Sequence, residues 1–456
     1  MQTLSLGFAR PVTRTYTLRI KSGRVGRGHI NGWREDWGDW EWDGDRLREF
    51  DQVLDEAYKA GVRLIIPIIN QDYGGEDTNW VGNTTDLIRM RKGLSSLADA
   101  KKVDWWTDHQ MIESFKLIID KLVNRVNSIN GRRYGEDPSI LAWETGQFSV
   151  QTRAHTAGNA DADLLFCWNG YGSAPAAWTM VVAKHIKSRA RQLVMDGSYA
   201  RTDNYESCFP KAILECPDVD LISYHYYGGG DTKRLAKDCQ TAQSAGKVLV
   251  PPLSDFDLVQ LVRHELEYRF VAGEFGLYQQ SSEYDNFLQT LDAAGGGGAL
   301  CWSLRPHSSK GGFKTHGEGN GQWSFHAPGW AEPLHGEFDP REASVIASIR
   351  RISYKVNGEV LPPLPTPSPP AKIWFTSPTQ ICWTGSPWAS TYQVIVKNKQ
   401  SGEERQKQVV DCTKEGCLAV DIGNEMSGWD RKHISIRMRA GADTGEFGKD
   451  SHEIGC

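Results

Sequence analysis

The sequence predicts an α/β protein: a (β/α)8 barrel lacking its first strand, followed by a small C-terminal β-sandwich. Three observations carry this. Apolar runs of strand length alternate with helical periodicity from residue 13 to residue 303, as a sheet of parallel strands joined by helices requires. The run 361–371, LPPLPTPSPPA, holds six prolines in eleven residues and favours an extended spacer over helix or central strand. Beyond it the chain changes to short β-rich runs between Gly, Ser and Asp turns, without helical periodicity. The expected domains are 1–360, a linker 361–371, and an Ig- or fibronectin-III-like sandwich over 372–456.

The first strand found is 13–20, TRTYTLRI. The helix 45–60 places Leu47, Phe50, Val53, Leu54, Ala57 and Tyr58 on one face, with Gly61 as its stop. The run 62–69, VRLIIPII, is apolar on consecutive residues, as a parallel strand covered on both faces must be. Helix 108–126, built on Met111, Phe115, Ile118 and Leu122, leads to strand 140–143, and helix 178–190 to strand 193–196. Strand 221–224, helix 232–245, strand 247–250, helix 282–294 and strand 299–303 complete the series. Seven strands result where a barrel needs eight, and the missing one should precede Thr13. No GxGxxG follows an early strand, which disfavours a dinucleotide-binding doubly wound sheet. After the linker, IWFTSPTQICWTG, TYQVIVKNK, QKQVVD, CLAVDI and HISIRMRAG are the sandwich strands, with no helix expected among them.

Composition narrows the functional classes. Of 456 residues, 39% are hydrophobic and 24% charged, the balance of a globular protein with a core rather than a disordered one. The net charge of −5 offers no basic footprint for nucleic acid or anionic lipid, and no apolar run approaches the ~18 residues of a membrane span. Seventeen Trp, 15 Tyr and 15 Phe suit a protein that stacks on the apolar faces of sugars, although cores also use such rings. Four of the nine cysteines (Cys382, Cys412, Cys417 and Cys456) fall after the linker. They suggest two disulfides, in three connectivities, and an oxidising compartment. The N-terminus, MQTLSLGFARPVTRTYTLRI, shows no signal peptide.

In a (β/α)8 barrel the chemistry lies where strands end on their C-terminal side. There Asn70 ends the second strand, Glu144 the next, and His225 with Tyr227 the next but one. Glu274 stands in VAGEFGL, and Trp302 closes the last strand in CWSLRP. Carboxylates with a histidine, a tyrosine and a tryptophan are the parts of a sugar-cleaving site. Each has a plainer explanation: a strand-end Glu pairs with an Arg in many barrels, and a Trp after a core strand usually packs. Their coincidence on successive strands favours function.

From Thr13 to about Lys355 the chain resembles glycoside hydrolase family 5, in the fungal endo-β-1,4-mannanase neighbourhood. The motifs TRTYTLR, AGVRLIIPI, DPSILAWETG, LVMDGSY, DLISYHYYG, AGEFGL and CWSLRPH stand in the family's order. The resemblance implies that Glu274 is the nucleophile, that Arg14 keeps it ionised, and that His225 and Tyr227 line the cleavage subsite. Trp302 would be the platform under the sugar ring, and Asn70 a substrate contact. It also implies retaining hydrolysis: Glu274 forms a glycosyl-enzyme, while a second carboxyl ~5 to 5.5 Å away protonates the leaving oxygen and later activates water. No metal or organic cofactor is needed. The implied partner is a polysaccharide, β-mannan favoured over other β-glycans such as glucan. The implied state is an extracellular monomer that engages neither nucleic acid nor membrane.

Two departures stand out. The family carries its acid/base as the Glu of an Asn-Glu pair directly after WETG, whereas this chain reads Gly146, Gln147, Phe148. Glu144 does not correspond to that acid. Second, the 20 residues 251–270, PPLSDFDLVQLVRHELEYRF, separate KVLV from AGEF and should split one barrel strand, since two prolines do not sit in a central ladder. Two accounts fit both features: intron sequence read through in frame, or divergence into a barrel that binds sugar without cleaving it.

Overall fold

The computed structural model describes residues 4–9, 15–17, 29–69, 84–100, 102–146, 148–149, 174–199, 209–226, 231–245, 270–304, 307–308, 310–313, 317–318, 321–322, 325–327, 342–356, 358–411 and 418–455. Two compact units form, one of Met1–Phe275 with Gln289–Cys301 and the other of Gly276–Leu288 with Trp302–Cys456. The division falls before the proline-rich segment rather than at it.

The first unit is organised around a closed barrel. In chain order its strands are β1 (Leu4–Ala9), β2 (Thr15–Thr17), β5 (Arg63–Pro67), β6 (Ile140–Glu144), β8 (Leu193–Asp196), β10 (Leu221–Tyr226), β11 (Phe270–Phe275) and β12 (Gly298–Leu304). Two corrections to the sequence reading follow. The barrel has eight strands and lacks none, because Leu4–Ala9 closes the circle between β2 and β12. It does so antiparallel to β2, with Leu6 opposite Tyr16 and Gly7 opposite Thr15. The five residues between them are too few for the crossover that a parallel neighbour needs, but enough for a hairpin-like return. The other seven strands run parallel to one another.

The second correction concerns the strand expected to be split. β11 is continuous over Phe270–Phe275 and pairs on both sides, with β10 and with β12. It draws its first residue from the supposed insert. Residues 247–250, expected as a strand, lie outside the described residues.

Between β2 and β5 a hairpin, β3 (Ile30–Arg34) with β4 (Asp39–Trp42), packs Trp33 edge-on against Trp40. The Trp40 indole donates to the Ser114 carbonyl, tying the hairpin to helix His109–Asn124. Helix Gly44–Lys59 starts where the Asp43 side chain accepts from the amides of Asp45 and Arg46. It buries Leu47, Phe50, Leu54 and Ala57, while Tyr58 stays exposed beneath Arg132. Asp51, on the same helix, is fully buried and accepts from Arg125, Ser128 and Tyr134. Helix His109–Asn124, capped by Asp108, buries the predicted Met111, Phe115, Ile118 and Leu122. Ile65, Leu141, Ala142, Leu193, Met195, Leu221, Val271 and Leu300 form one apolar cluster contributed by six barrel strands.

In the second unit a short antiparallel pair, β13 (Gly317–Glu318) with β14 (Gly321–Gln322), precedes two antiparallel sheets that share one core. One orders β15 (Ile373–Phe375), β16 (Gln380–Trp383) and β19 (Ala419–Asp421). The other orders β18 (Glu404–Val410), β17 (Thr391–Asn398), β20 (Ile434–Gly441) and β21 (Ile454–Gly455). Alternate residues Tyr392, Val394 and Val396 face Ile381 and Trp383 in that core, the period of two expected of half-buried strands. One turn of helix, Gly423–Met426, interrupts what the sequence reads as helix-free. Its start is fixed by the Asp421 carboxylate, which accepts from the Gly423 amide. Cys382 is a free thiol inside the core, its sulfur on the Thr376 hydroxyl, so in this structure it takes part in neither of the two expected disulfides. Cys412, Cys417 and Cys456 lie outside the described residues. The linker is not loose, since Arg350 of helix Glu342–Val356 donates to the carbonyls of Pro362 and Pro363.

Candidate active site

The barrel strands bring buried polar groups to their C-terminal ends, and the sequence explains how each is aimed. Along β10, Tyr224 and Tyr226 turn toward helix Asp231–Ser244, where Arg234 lies over the Tyr224 ring and Asp238 accepts from Tyr226. His225, between them, must point to the opposite face, the barrel interior. Glu274 meets it there. In the register, Tyr224 stands opposite Ala272 but His225 opposite Glu274, so Gly273 is one residue too many. Against β12 the same step appears, with Ala272 opposite Ala299 and Phe275 opposite Cys301. A bulge re-aims the side chains that follow it, and glycine bears the local distortion at little steric cost.

The result is a buried acid–imidazole contact. His225 Nδ1 lies 3.3 Å from Glu274 Oε2, and the two residues are only 4% and 6% exposed. A carboxylate away from water is costly unless a donor faces it, and the imidazole N–H is such a donor. The contact orients the carboxylate, and its burial shields it from bulk solvent.

Two further carboxylates close neighbouring strands. Glu144, the last residue of β6, is buried, and its side chain fills the space over Gly197. An added Cβ at Gly197 would come within 2.2 Å of Glu144 Oε1 and of the Gly146 carbonyl. Asp196, the last residue of β8, is also buried, and its carbonyl accepts from the Ser223 hydroxyl. Sequence reasoning passed over Asp196, although an acid at the end of LVMD meets the criterion that selected the others. Beyond Gly146 the backbone continues into a two-residue strand, β7 (Phe148–Ser149), parallel to β9 (Ser198–Tyr199).

Of the six residues that the resemblance assigns to the site, His225 and Glu274 are brought together. Trp302 is buried within β12 at 3% exposure. Arg14, Asn70 and Tyr227 lie outside the described residues.

The chain is similar to plant and fungal enzymes of one kind. Mannan endo-1,4-β-mannosidase 7 of Oryza sativa subsp. japonica is 23% identical over 301 residues, covering 59% of this chain and 71% of that protein. Mannan endo-1,4-β-mannosidase F of Aspergillus fumigatus is 26% identical over 214 residues, 43% of this chain and 42% of its own. Among solved structures, the endo-1,4-β-mannanase of Rhizomucor miehei covers 74% of this chain and 86% of its own at 18% identity, TM-score 0.46. The endo-β-1,4-mannanase of Thermotoga petrophila covers 96% and 91% at 16% identity, TM-score 0.47. The family described as GH family 5 β-mannosidase-like matches residues 39–293, a span that runs from β4 through β11 and includes both His225 and Glu274. More than half of the sequence thus carries the pattern of one family, and the chain belongs to the β-mannosidase-like glycoside hydrolases of family 5.

Proposed function

We propose that the barrel is a retaining hydrolase of β-1,4-mannan in which Glu274 is the nucleophile and His225 orients and charge-stabilises it. The observation that carries this is the buried 3.3 Å contact between His225 Nδ1 and Glu274 Oε2 at a bulged strand end. The names of the curated relatives support mannan as substrate. In the first step a Glu274 oxygen bonds to the anomeric carbon as the glycosidic C–O bond breaks, and the leaving oxygen must receive a proton. Gln147 and Phe148 stand where the family resemblance expects the pair that supplies it. Attack therefore rests on Glu274 and His225, and departure of an ordinary sugar on a proton that no Asn-Glu pair at 147–148 supplies. Arg14, Asn70 and Tyr227 complete the subsite in this reading, and a platform role for Trp302 requires its ring face to open as substrate enters. A polymeric substrate cannot cross a membrane, which supports reading the protein as an extracellular enzyme, and we take it to work as a monomer.

A dinitrophenyl 2-deoxy-2-fluoro-β-mannoside tests this directly, because its leaving group departs without protonation. It should label one residue, Glu274, and Glu274→Gln should abolish labelling. A label on Glu144 would overturn the assignment of roles. The β7–β9 pairing at the position of the expected acid favours one second reading, a sugar-binding barrel without turnover. Mannan retained on the folded protein with no release of reducing ends and no labelling would select it. A panel of β-glycans separates mannan from glucan.

A further inference from the structure

Behind the sheet, on the side of β10 away from His225, a buried polar cluster joins the strand to helix Asp231–Ser244. Tyr226 donates its hydroxyl to Asp238 Oδ2 at 2.8 Å, and Arg234 Nε lies 3.3 Å from the same oxygen. The Arg234 guanidinium sits 3.9 Å from the Tyr224 ring centre, and the two tyrosine rings are 4.9 Å apart. Asp238 and Tyr226 are completely buried, and Arg234 nearly so. Among the described residues Asp238 Oδ1 accepts no hydrogen bond, so the cluster carries a cost that packing alone would remove. Burial raises the Asp238 carboxyl above its ordinary range and the Tyr226 phenol well above its own, which keeps Tyr226 a permanent donor. A costly polar cluster directly behind a functional strand end calls for a return.

We infer that Asp238 and Arg234 are positioning residues for the His225–Glu274 pair. Resting on the nucleophile reading above, the argument is geometric. Side chains alternate along a strand, so fixing Tyr224 and Tyr226 on the helix side fixes the backbone twist at His225, and with it the imidazole on Glu274. The stretch is also where β11 steps out of register. That irregular ladder leaves the end of β10 with weaker support from its neighbour, and the helix supplies it from behind. A site placed within about half an ångström needs such support from surrounding hydrogen bonds.

The test uses the full chain and two readouts. Tyr226→Phe removes one hydroxyl and keeps the ring, and Asp238→Asn keeps an acceptor for Tyr226, so both should fold. Asp238→Ala removes the acceptor altogether. In protein labelled with ¹⁵N at histidine, the His225 signal is assigned by its loss in His225→Gln. Tyr226→Phe and Asp238→Ala should shift and broaden that signal, whereas Asp238→Asn should leave it close to native. The labelling reaction with the fluoro-mannoside should slow about tenfold in its maximal rate in Tyr226→Phe, with the half-saturating concentration unchanged. A structural role alone would lower the melting temperature without moving either readout. An unaltered His225 signal and an unaltered labelling rate in folded Tyr226→Phe would overturn the inference. If the parent chain takes no label at all, the nucleophile reading fails, and the His225 signal alone still decides whether the helix positions this ring.

Discussion

Replacing Gly197 by alanine should disturb the mouth of the barrel between β6 and β8. The new Cβ would stand 2.2 Å from both Glu144 Oε1 and the Gly146 carbonyl, and 2.5 Å from Glu144 Cγ. Carbon prefers its neighbours at about 3.5 Å, so each must retreat by roughly 1 Å. Glu144 is poorly placed to do so: it is buried, and its backbone is held in ladder pairing with Pro67 and Met195. Such overpacking costs about 1–3 kcal/mol, while stiffening of the unfolded chain returns about 0.4–1 kcal/mol. A net loss of about 1.3 kcal/mol follows. Ile68, whose amide donates to the Glu144 carbonyl, and Thr145, whose amide donates to the Met195 carbonyl, are the local reporters. Their hydrogen-exchange protection should fall somewhat under tenfold, at about 1.4 kcal/mol per tenfold. Adding Glu144→Ala to Gly197→Ala removes two of the three clashes but not the one with the Gly146 carbonyl, so part of the protection should return. Native protection of both amides in Gly197→Ala would refute the placement of the Glu144 side chain over Gly197.

Three other outcomes are expected. Restoring the Asn-Glu pair with Gln147→Asn and Phe148→Glu should raise release of reducing ends from β-mannan by about 10² to 10⁴-fold; no gain while Glu274 still labels would place the proton donor elsewhere. Burial alone would raise the Asp51 carboxyl, but hydrogen bonds from Arg125, Ser128 and Tyr134 hold it below the ordinary range. Its stabilisation is therefore complete above the unfolded-state value and disappears as pH falls through the folded one. Asp51→Asn should cost about 3 kcal/mol at neutral pH and flatten the acid limb of a melting-temperature profile, and an acid limb identical to the parent's would contradict this. Burial pushes the Cys239 thiol up to about 12 and raises that of Cys301 still further, so neither should react with iodoacetamide at pH 8 until denaturant is added, as peptide mass would reveal.

The sequence made the parallel strands and their helices readable because both faces of each strand are covered, which leaves unbroken apolar runs such as LIIP and LVM. Strand ends were harder to place. His225 lies inside β10 rather than beyond it, because Tyr224 and Tyr226 pack on a helix and so extend the ladder; their aromatic character alone did not distinguish that from a loop. Leu4–Ala9 escaped notice since its run LSLGFA is short, contains glycine, and joins β2 through a return too brief for the helix that marked most other steps. The proline pair at 251–252 suggested a broken strand, yet Phe270 to Phe275 is apolar enough to supply one by itself. Gly273 could be read as a residue of the motif but not as a bulge, because register is a relation between strands and no single strand displays it.

The antiparallel first strand has a consequence for synthesis. Leu4–Ala9 and Thr15–Thr17 can pair as soon as both emerge, but the other neighbour of β1 is β12, Gly298–Leu304. At translation rates of about 5–20 residues per second, close to 300 residues take roughly 15 to 60 s. For that interval one edge of the hairpin has no ladder partner, and an unpaired edge is a template for pairing with other chains. Circular closure thus makes β1 wait for β12, and the nascent barrel is most exposed to misassociation until Gly298–Leu304 has emerged.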